Sequence, residues 1–315
     1  MAKRKKRRQK KPKRKSRKGG TLKTHLIRAF VGFGILIILV VIAGVFVHHI
    51  LLNKYTTEPV AKPRVTKPPR FEVYPKEKIP PRKPISKPGL PKKLPKIAII
   101  IDDIGYNKKI ADKFLTLDAV LTFSMLPHNP FQKSFARAAL AKGYEIMLHL
   151  PMEPNEYPKI NPGPGALLTS MPPDQLIRQL NKNLDAIPSV KGVNNHMGSK
   201  MTTVSTQLYQ IFSILKKRGL FFIDSRTTAD TLCKPAARLL QVPFAQRDVF
   251  LDHIQEPDFI RKQINRLVQI AESNGEAIGI AHPSALTYDV LREVLPELKK
   301  KAVLVPVSKI VHIIS

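Results

Sequence analysis

Short apolar runs alternate with stretches of helical periodicity from Lys96 to Val307. The runs at 96–101 (KIAIII), Ala119–Leu126, Tyr144–Leu148, Gly192–Asn195, Leu220–Ile223, Phe244–Leu251, Ala277–Ala281 and Val303–Val307 predict strands. Between them, apolar residues recur every three or four positions over Asn107–Leu117, Pro130–Lys142, Pro172–Ile187, Thr206–Arg218, Pro257–Asn274 and Leu286–Lys300, with a shorter helix near Pro235–Leu240. Prolines open several of these helices, as Pro172 and Pro173 do, and Gly143 closes one. A loop rich in Pro and Gly fills 151–171. Strand–helix units whose strands are apolar on both faces imply a parallel sheet covered by helices. Their number and spacing predict an irregular (β/α) barrel of seven to eight parallel strands rather than an open doubly wound sheet. Neither a GxGxxG nor a Walker loop follows the first strand, which speaks against nucleotide binding.

The chain before Lys96 has a different texture. Ala29 to Val47 is a run of 19 residues without a charge, about 28 Å as a helix, against a bilayer core of roughly 30 Å. The preceding basic region is long and no A-x-A-like site follows, so an uncleaved transmembrane anchor over 29–52 is expected rather than a removed signal peptide. Residues 53–95 contain 11 prolines mixed with Lys and Arg, a composition that cannot bury a core and predicts a disordered spacer.

Charge sharpens this division. The formal net charge of +31 on 315 residues first suggests a nucleic-acid binder. Yet residues 1–20 carry +13 and residues 21–96 carry +12, leaving +6 on the last 219 residues. Fifteen Lys and Arg precede the apolar run and five lie in residues 53–72, so the basic tail at 1–28 is expected to stay cytoplasmic. Its expected partners are anionic lipid headgroups, not nucleic acid, and the domain at 96–315 is expected outside the cytoplasm. One cysteine, Cys233, excludes an internal disulfide and reads as a packed thiol.

In parallel barrels, chemistry gathers at the C-terminal ends of the strands. The predicted strand ends carry Asp102 and Asp103; His128; His149, followed by Glu153; Asn194, Asn195 and His196; Asp224 and Arg226; Arg247, Asp248, Asp252 and His253; and His282. Of six histidines beyond residue 96, only His312 lies elsewhere. Two adjacent carboxylates repel, which suits a division in which one holds a cation and the other accepts a proton. His149, His196 and His282 at the same end predict a metal site, and an Asp with two neutral imidazoles is a ligand set for zinc or another borderline divalent ion. His128 and His253 read as structural or rim groups.

In order, IDDIGY, HLPMEP, NNHMGS, FFIDSRT, RDVFLDH and GIAHP resemble the motifs of the divergent polysaccharide deacetylase family, a branch of the carbohydrate-esterase-type (β/α) barrels, over about residues 97–311. The resemblance implies Asp102 as general base, Asp103 and His149 as metal ligands, and His282 as general acid. Glu153 stands where ordinary polysaccharide deacetylases have their second metal histidine, so either Glu153 ligates through oxygen or His196 completes the site. Imidazole being the better zinc ligand, Asp103, His149 and His196 are the expected set. Arg247 is expected to orient Asp102, Asp248 to hydrogen-bond His282, and Asp224 and Arg226 to pair at the rim or touch substrate. The function implied is a membrane-anchored, extracytoplasmic, metal-dependent deacetylase acting on an N- or O-acetylated glycan. The alternative is a barrel that has lost turnover and binds an envelope glycan or protein partner.

Overall fold

The computed structural model describes residues 94–314. The expected tail, anchor and nearly all of the spacer lie outside the described residues, and among the described residues no helix is long and apolar enough to cross a membrane.

The described residues form nine strands: β1 (Lys96–Ile104), β2 (Thr122–Met125), β3 (Glu145–Met152), β4 (Gly192–Met197), β5 (Phe221–Asp224), β6 (Phe244–Gln246), β7 (Val249–Phe250), β8 (Glu276–Ala281) and β9 (Val303–Leu304). The helices are α1 (Lys108–Phe114), α2 (Gln132–Ala141), α3 (Pro173–Ala186), α4 (Ser205–Lys217), α5 (Cys233–Leu240), α6 (Pro257–Asn274) and α7 (Ala285–Lys301). Local signals set their ends. Asn107 caps α1 by accepting the Ile110 N–H, Ser284 caps α7 through the Thr287 N–H, and Gly275 ends α6 in the left-handed region at φ 86°.

Every pairing between these strands is parallel, in the order β6-β5-β4-β3-β2-β1-β8-β7, with β9 beside the start of β1. The two edges, β6 and β7, are separated in the chain by Arg247 and Asp248 alone, so the sheet must curl until its edges nearly meet. The predicted strand Phe244–Leu251 is therefore two: its first part pairs with β5 and its second with β8. The result is a curled parallel half-barrel in which the chain switches edges.

Period-two alternation sorts the strands into an outer and an inner face. On β1, Ile97, Ile99 and Ile101 pack outward with the helices, in one cluster with Phe114, Phe135, Leu180, Phe212 and Leu267. Ala98 and Ile100 turn inward, with Met147, Phe221, Ile223, Ile278 and Ile280. Val307 and Ile310 join this inner cluster from the C-terminal segment, which runs past the N-terminal ends of the strands: Val307 N–H donates to Thr122 Oγ1 and Ser308 N–H to Glu145. Gly192 keeps the interior closed, because the Phe221 ring lies where its Cβ would be. The inner rows are apolar below and become polar one residue pair higher, at Asp102, Ser124, His149, Asn194, Ser225 and His282.

Candidate active site

Adjacent residues of a strand point to opposite faces, so Asp102 and Asp103 could not both serve an inner site on a regular β1. The strand is irregular there. Its register with β2 shifts between Ile101 and Ile104, and Asp103 takes the left-handed conformation at φ 53°. His128 (φ 62°), Met197 (φ 55°) and Arg226 (φ 50°) take it too, beside the C-terminal ends of β2, β4 and β5. Backbone held in this region has an energetic cost and concentrates where a fold must aim groups inward.

The bulge brings Asp103 Oδ1 to 3.2 Å from His149 Nε2 and 3.0 Å from His196 Nδ1, while the two nitrogens are 3.1 Å apart. His149 and His196 arrive from neighbouring strands, β3 and β4. Asp103 Oδ1 is buried with no aligned hydrogen-bond donor. Three lone-pair atoms this close need a positive centre between them. Two ligands at about 2.1 Å from one ion are about 3.0 Å apart at right angles and about 3.4 Å apart at the tetrahedral angle, so the triangle has the size of a divalent cation's ligand set, contracted by a few tenths of an ångström for a tetrahedral ion. Among the described residues this trio is the one cluster of His, Cys, Asp or Glu with metal-binding spacing.

Asp102 is buried beside the triangle, its Oδ2 3.7 Å from His149 Nε2. The Asn194 side-chain amide donates to Asp102 Oδ1 at 2.9 Å and Oδ2 at 3.0 Å. Burial raises the Asp102 carboxyl above its ordinary value, against the pull of His149, His282 and Asn194, and Asp103 adds to the rise. Asp103 goes the other way: burial opposes its charge, but the imidazoles of His196 and His149 outweigh it and hold it well below the usual range. The same exchange raises His149, whose burial is overcome by Asp102 and Asp103. The two neighbouring carboxyls are thus driven apart, one toward proton acceptance and one toward lasting charge.

His282, at the end of β8, meets a buried carboxylate from the residues after β7. Its Nδ1 lies 2.9 Å from Asp252 Oδ1, and its backbone N–H donates to Asp252 Oδ2 at 2.7 Å. Thr287 Oγ1 donates to the same Oδ2. Burial opposes a charge on His282, but Asp252, with Asp103 and Asp102 behind it, raises its pKa to about 10. Its ring stacks against Phe250, and the Arg247 guanidinium lies over the same Phe250 ring, 3.9 Å from its centroid.

Several expected placements differ. Asp248 accepts the Ile278 backbone N–H at 2.8 Å, in the middle of β8, and the carboxylate on His282 is Asp252. The spacing explains it: Asp248 sits where the chain changes edges, while Asp252 is past the strand end, level with His282. Asp102 takes its hydrogen bonds from Asn194, and Arg247 donates to the carbonyls of Ser225 and Arg226. Glu153 is buried away from the triangle, held by the Thr169 backbone and hydroxyl and by Lys200 Nζ at 2.6 Å. Asp224 accepts from the Arg226 backbone N–H and the Thr231 hydroxyl, shaping the loop after β5. Cys233 is buried and its thiol pushed well up by burial and by Asp224. Asn194, Ser124 and Asp252 had no assigned role in the sequence; the signal for Asn194 was its place two residues before His196, on the same inner face.

Residues 99–311 match the sequence model described as divergent polysaccharide deacetylase. The chain belongs to the divergent polysaccharide deacetylase family. Two relatives of this chain are the uncharacterised protein YibQ of Escherichia coli K12, 33% identical over 69% of this chain and 67% of its own, and an uncharacterised protein of Haemophilus influenzae Rd, 30% identical over 67% of this chain and 74% of its own. A solved structure from Agrobacterium tumefaciens C58, also of an uncharacterised protein, superposes with a TM-score of 0.67 at 27% identity, covering 71% of this chain and 92% of that one. The family match spans every residue of the candidate site, from Asp102 to His282.

Proposed function

We propose that this chain is a membrane-anchored, extracytoplasmic, metal-dependent deacetylase acting on an acetylated glycan. The observation that carries the reading is the triangle of Asp103 Oδ1, His149 Nε2 and His196 Nδ1, flanked by a raised carboxyl at Asp102 and a carboxylate-paired imidazole at His282. Family membership supports a glycan substrate. The apolar run and charge asymmetry of the sequence support the anchor and its orientation.

Asp103, His149 and His196 would hold the ion, and zinc suits one carboxylate with two imidazoles. When bound, such an ion supplies Lewis-acid polarisation of an acyl oxygen and of water. Asp102 takes a proton from water as its oxygen bonds to the acetyl carbon, and its raised pKa suits that acceptance. His282, kept protonated by Asp252, gives a proton to the departing amine or alcohol as the acyl bond breaks. Acetate leaves, and proton exchange with solvent returns Asp102 to its anion and His282 to its cation. No Ser or Cys nucleophile is needed, and Cys233, buried with a raised thiol, is unsuited to the role.

The rival reading, a binding barrel without turnover, draws on Glu153 standing where ordinary polysaccharide deacetylases have a second metal histidine. His196 supplies a third donor atom without it, which favours catalysis. Metal analysis of the purified full chain, with acetate release from a panel of N- and O-acetylated glycans, tests both. Stoichiometric metal that His149→Ala lacks, with acetate release, is expected. Metal and glycan binding without acetate would establish the rival, and no metal in either protein would overturn the proposal.

A further inference from the structure

Asn194 is fully buried, and its side chain touches both halves of the site. Its Nδ2 donates to both oxygens of Asp102, at 2.9 and 3.0 Å, and lies 3.3 Å from Ser225 Oγ. A carboxylate only accepts, so the nitrogen must be the end facing Asp102. Asn194 Oδ1 is thereby turned to Ser124 Oγ and to His149 Nδ1, the latter at 2.9 Å. An amide oxygen also only accepts, so both groups must bring hydrogens, and His149 carries its proton on Nδ1. In the neutral imidazole, the form that can ligate, this leaves the lone pair on Nε2, which faces Asp103 Oδ1 and His196 Nδ1. One rigid amide therefore reads the charge of Asp102 at one end and sets the tautomer of His149 at the other.

We infer that Asn194 is the positioning residue of the site, which orients the general base and fixes the ligating nitrogen of His149 through the same amide. This rests on the proposed deacetylase reading for the base and on the donor triangle alone for the ligand. The division follows from geometry: Oδ1 serves the metal ligand and Nδ2 serves the base. A carboxylate at this position keeps an acceptor for His149 and Ser124 and loses the donor to Asp102. A leucine of similar size loses both.

The test uses the full chain and zinc or cobalt alone as probes. Asn194→Leu should bind zinc about 10–100-fold more weakly in competition with a chromophoric chelator, the usual effect of losing a ligand's outer partner, and change the visible spectrum of the cobalt-loaded protein. Asn194→Asp should keep zinc affinity and the cobalt spectrum while kcat falls at least about tenfold with KM little changed. Wild-type zinc affinity and cobalt spectrum in Asn194→Leu would overturn the ligand half, and wild-type kcat in Asn194→Asp the base half. If the wild type itself releases no acetate, the deacetylase reading and the base half fall with it, while the zinc and cobalt measurements still decide whether Asn194 governs His149.

Discussion

Asp252 holds His282 twice, by Oδ1 at 2.9 Å from its ring Nδ1 and by Oδ2 at 2.7 Å from its backbone N–H. A β8 end and the segment after β7 are thereby locked together, and Thr287 at the start of α7 joins the same carboxylate. The contact sets both where the imidazole points and whether it is charged.

In the metal-free full chain, the His282 ring should lose its proton near pH 10, followed by its carbon-bound proton resonance. Asp252→Asn should move that midpoint down toward the ordinary 6.5, since the charge opposing burial is gone. The folded state holds this proton more tightly than the unfolded chain. The stabilisation is therefore complete below about 6.5 and is lost as pH rises through about 10, a decline that urea unfolding at several pH values should show in wild type and not in Asp252→Asn. A midpoint still near 10 in the variant would assign the shift to another group.

Zinc should stabilise the fold through the donor triangle. At one hundred times Kd a single bound ion adds about 2.7 kcal/mol, visible as a raised Tm. His149→Ala and His196→Ala should lose this increment, because each removes one corner of the 3.0–3.2 Å triangle. An undiminished increment in His196→Ala would remove that residue from the site.

The fold was legible because its signals are local and periodic. Apolar runs such as KIAIII, the prolines that open α3 and α6, and Gly275 after α6 each act within a few residues of where they stand. The gathering of His149, His196 and the Asp pair at strand ends was legible for the same reason. What pattern does not carry is the bulge that turns Asp103 inward, since left-handed backbone at an aspartate leaves no mark in hydropathy. Nor does it carry partner choice over long sequence separations: Asp252 rather than Asp248 on His282, and Asn194 rather than Arg247 on Asp102, depend on strand register. The split of Phe244–Leu251 between two edges needs the curled sheet, which no single segment encodes.

Gly192→Ala should report on that interior. An added methyl would overlap the Phe221 ring on the neighbouring strand, and overpacking of this kind costs about 1–3 kcal/mol. Asn194 and His196 lie two and four residues further along the same face of β4, so zinc affinity should fall together with stability. Phe221→Leu in the same chain should recover part of both. Recovery of stability without zinc affinity would separate the packing of β4 from the placement of its ligands.

Glu153 tests whether the position of the second metal histidine of ordinary polysaccharide deacetylases has been given over to structure. Its carboxylate is buried under three donors, the Thr169 N–H and hydroxyl and the Lys200 ammonium. Burial works to raise its pKa, but these hydrogen bonds prevail and hold it below its ordinary value of 4.5. Its contribution is therefore present above about 4.5 and lost as pH falls below it. Glu153→Gln should destabilise the fold by about 1–3 kcal/mol at neutral pH and leave zinc affinity unchanged, because a buried charge-assisted contact is lost while the triangle stays whole. Glu153→His, which writes the histidine spacing of ordinary polysaccharide deacetylases into the sequence, should be destabilised likewise and bind zinc no more tightly, since the backbone at 153 is tied to Leu167 and aims the side chain at Thr169. A marked gain in zinc affinity would show instead that the position still faces the ion.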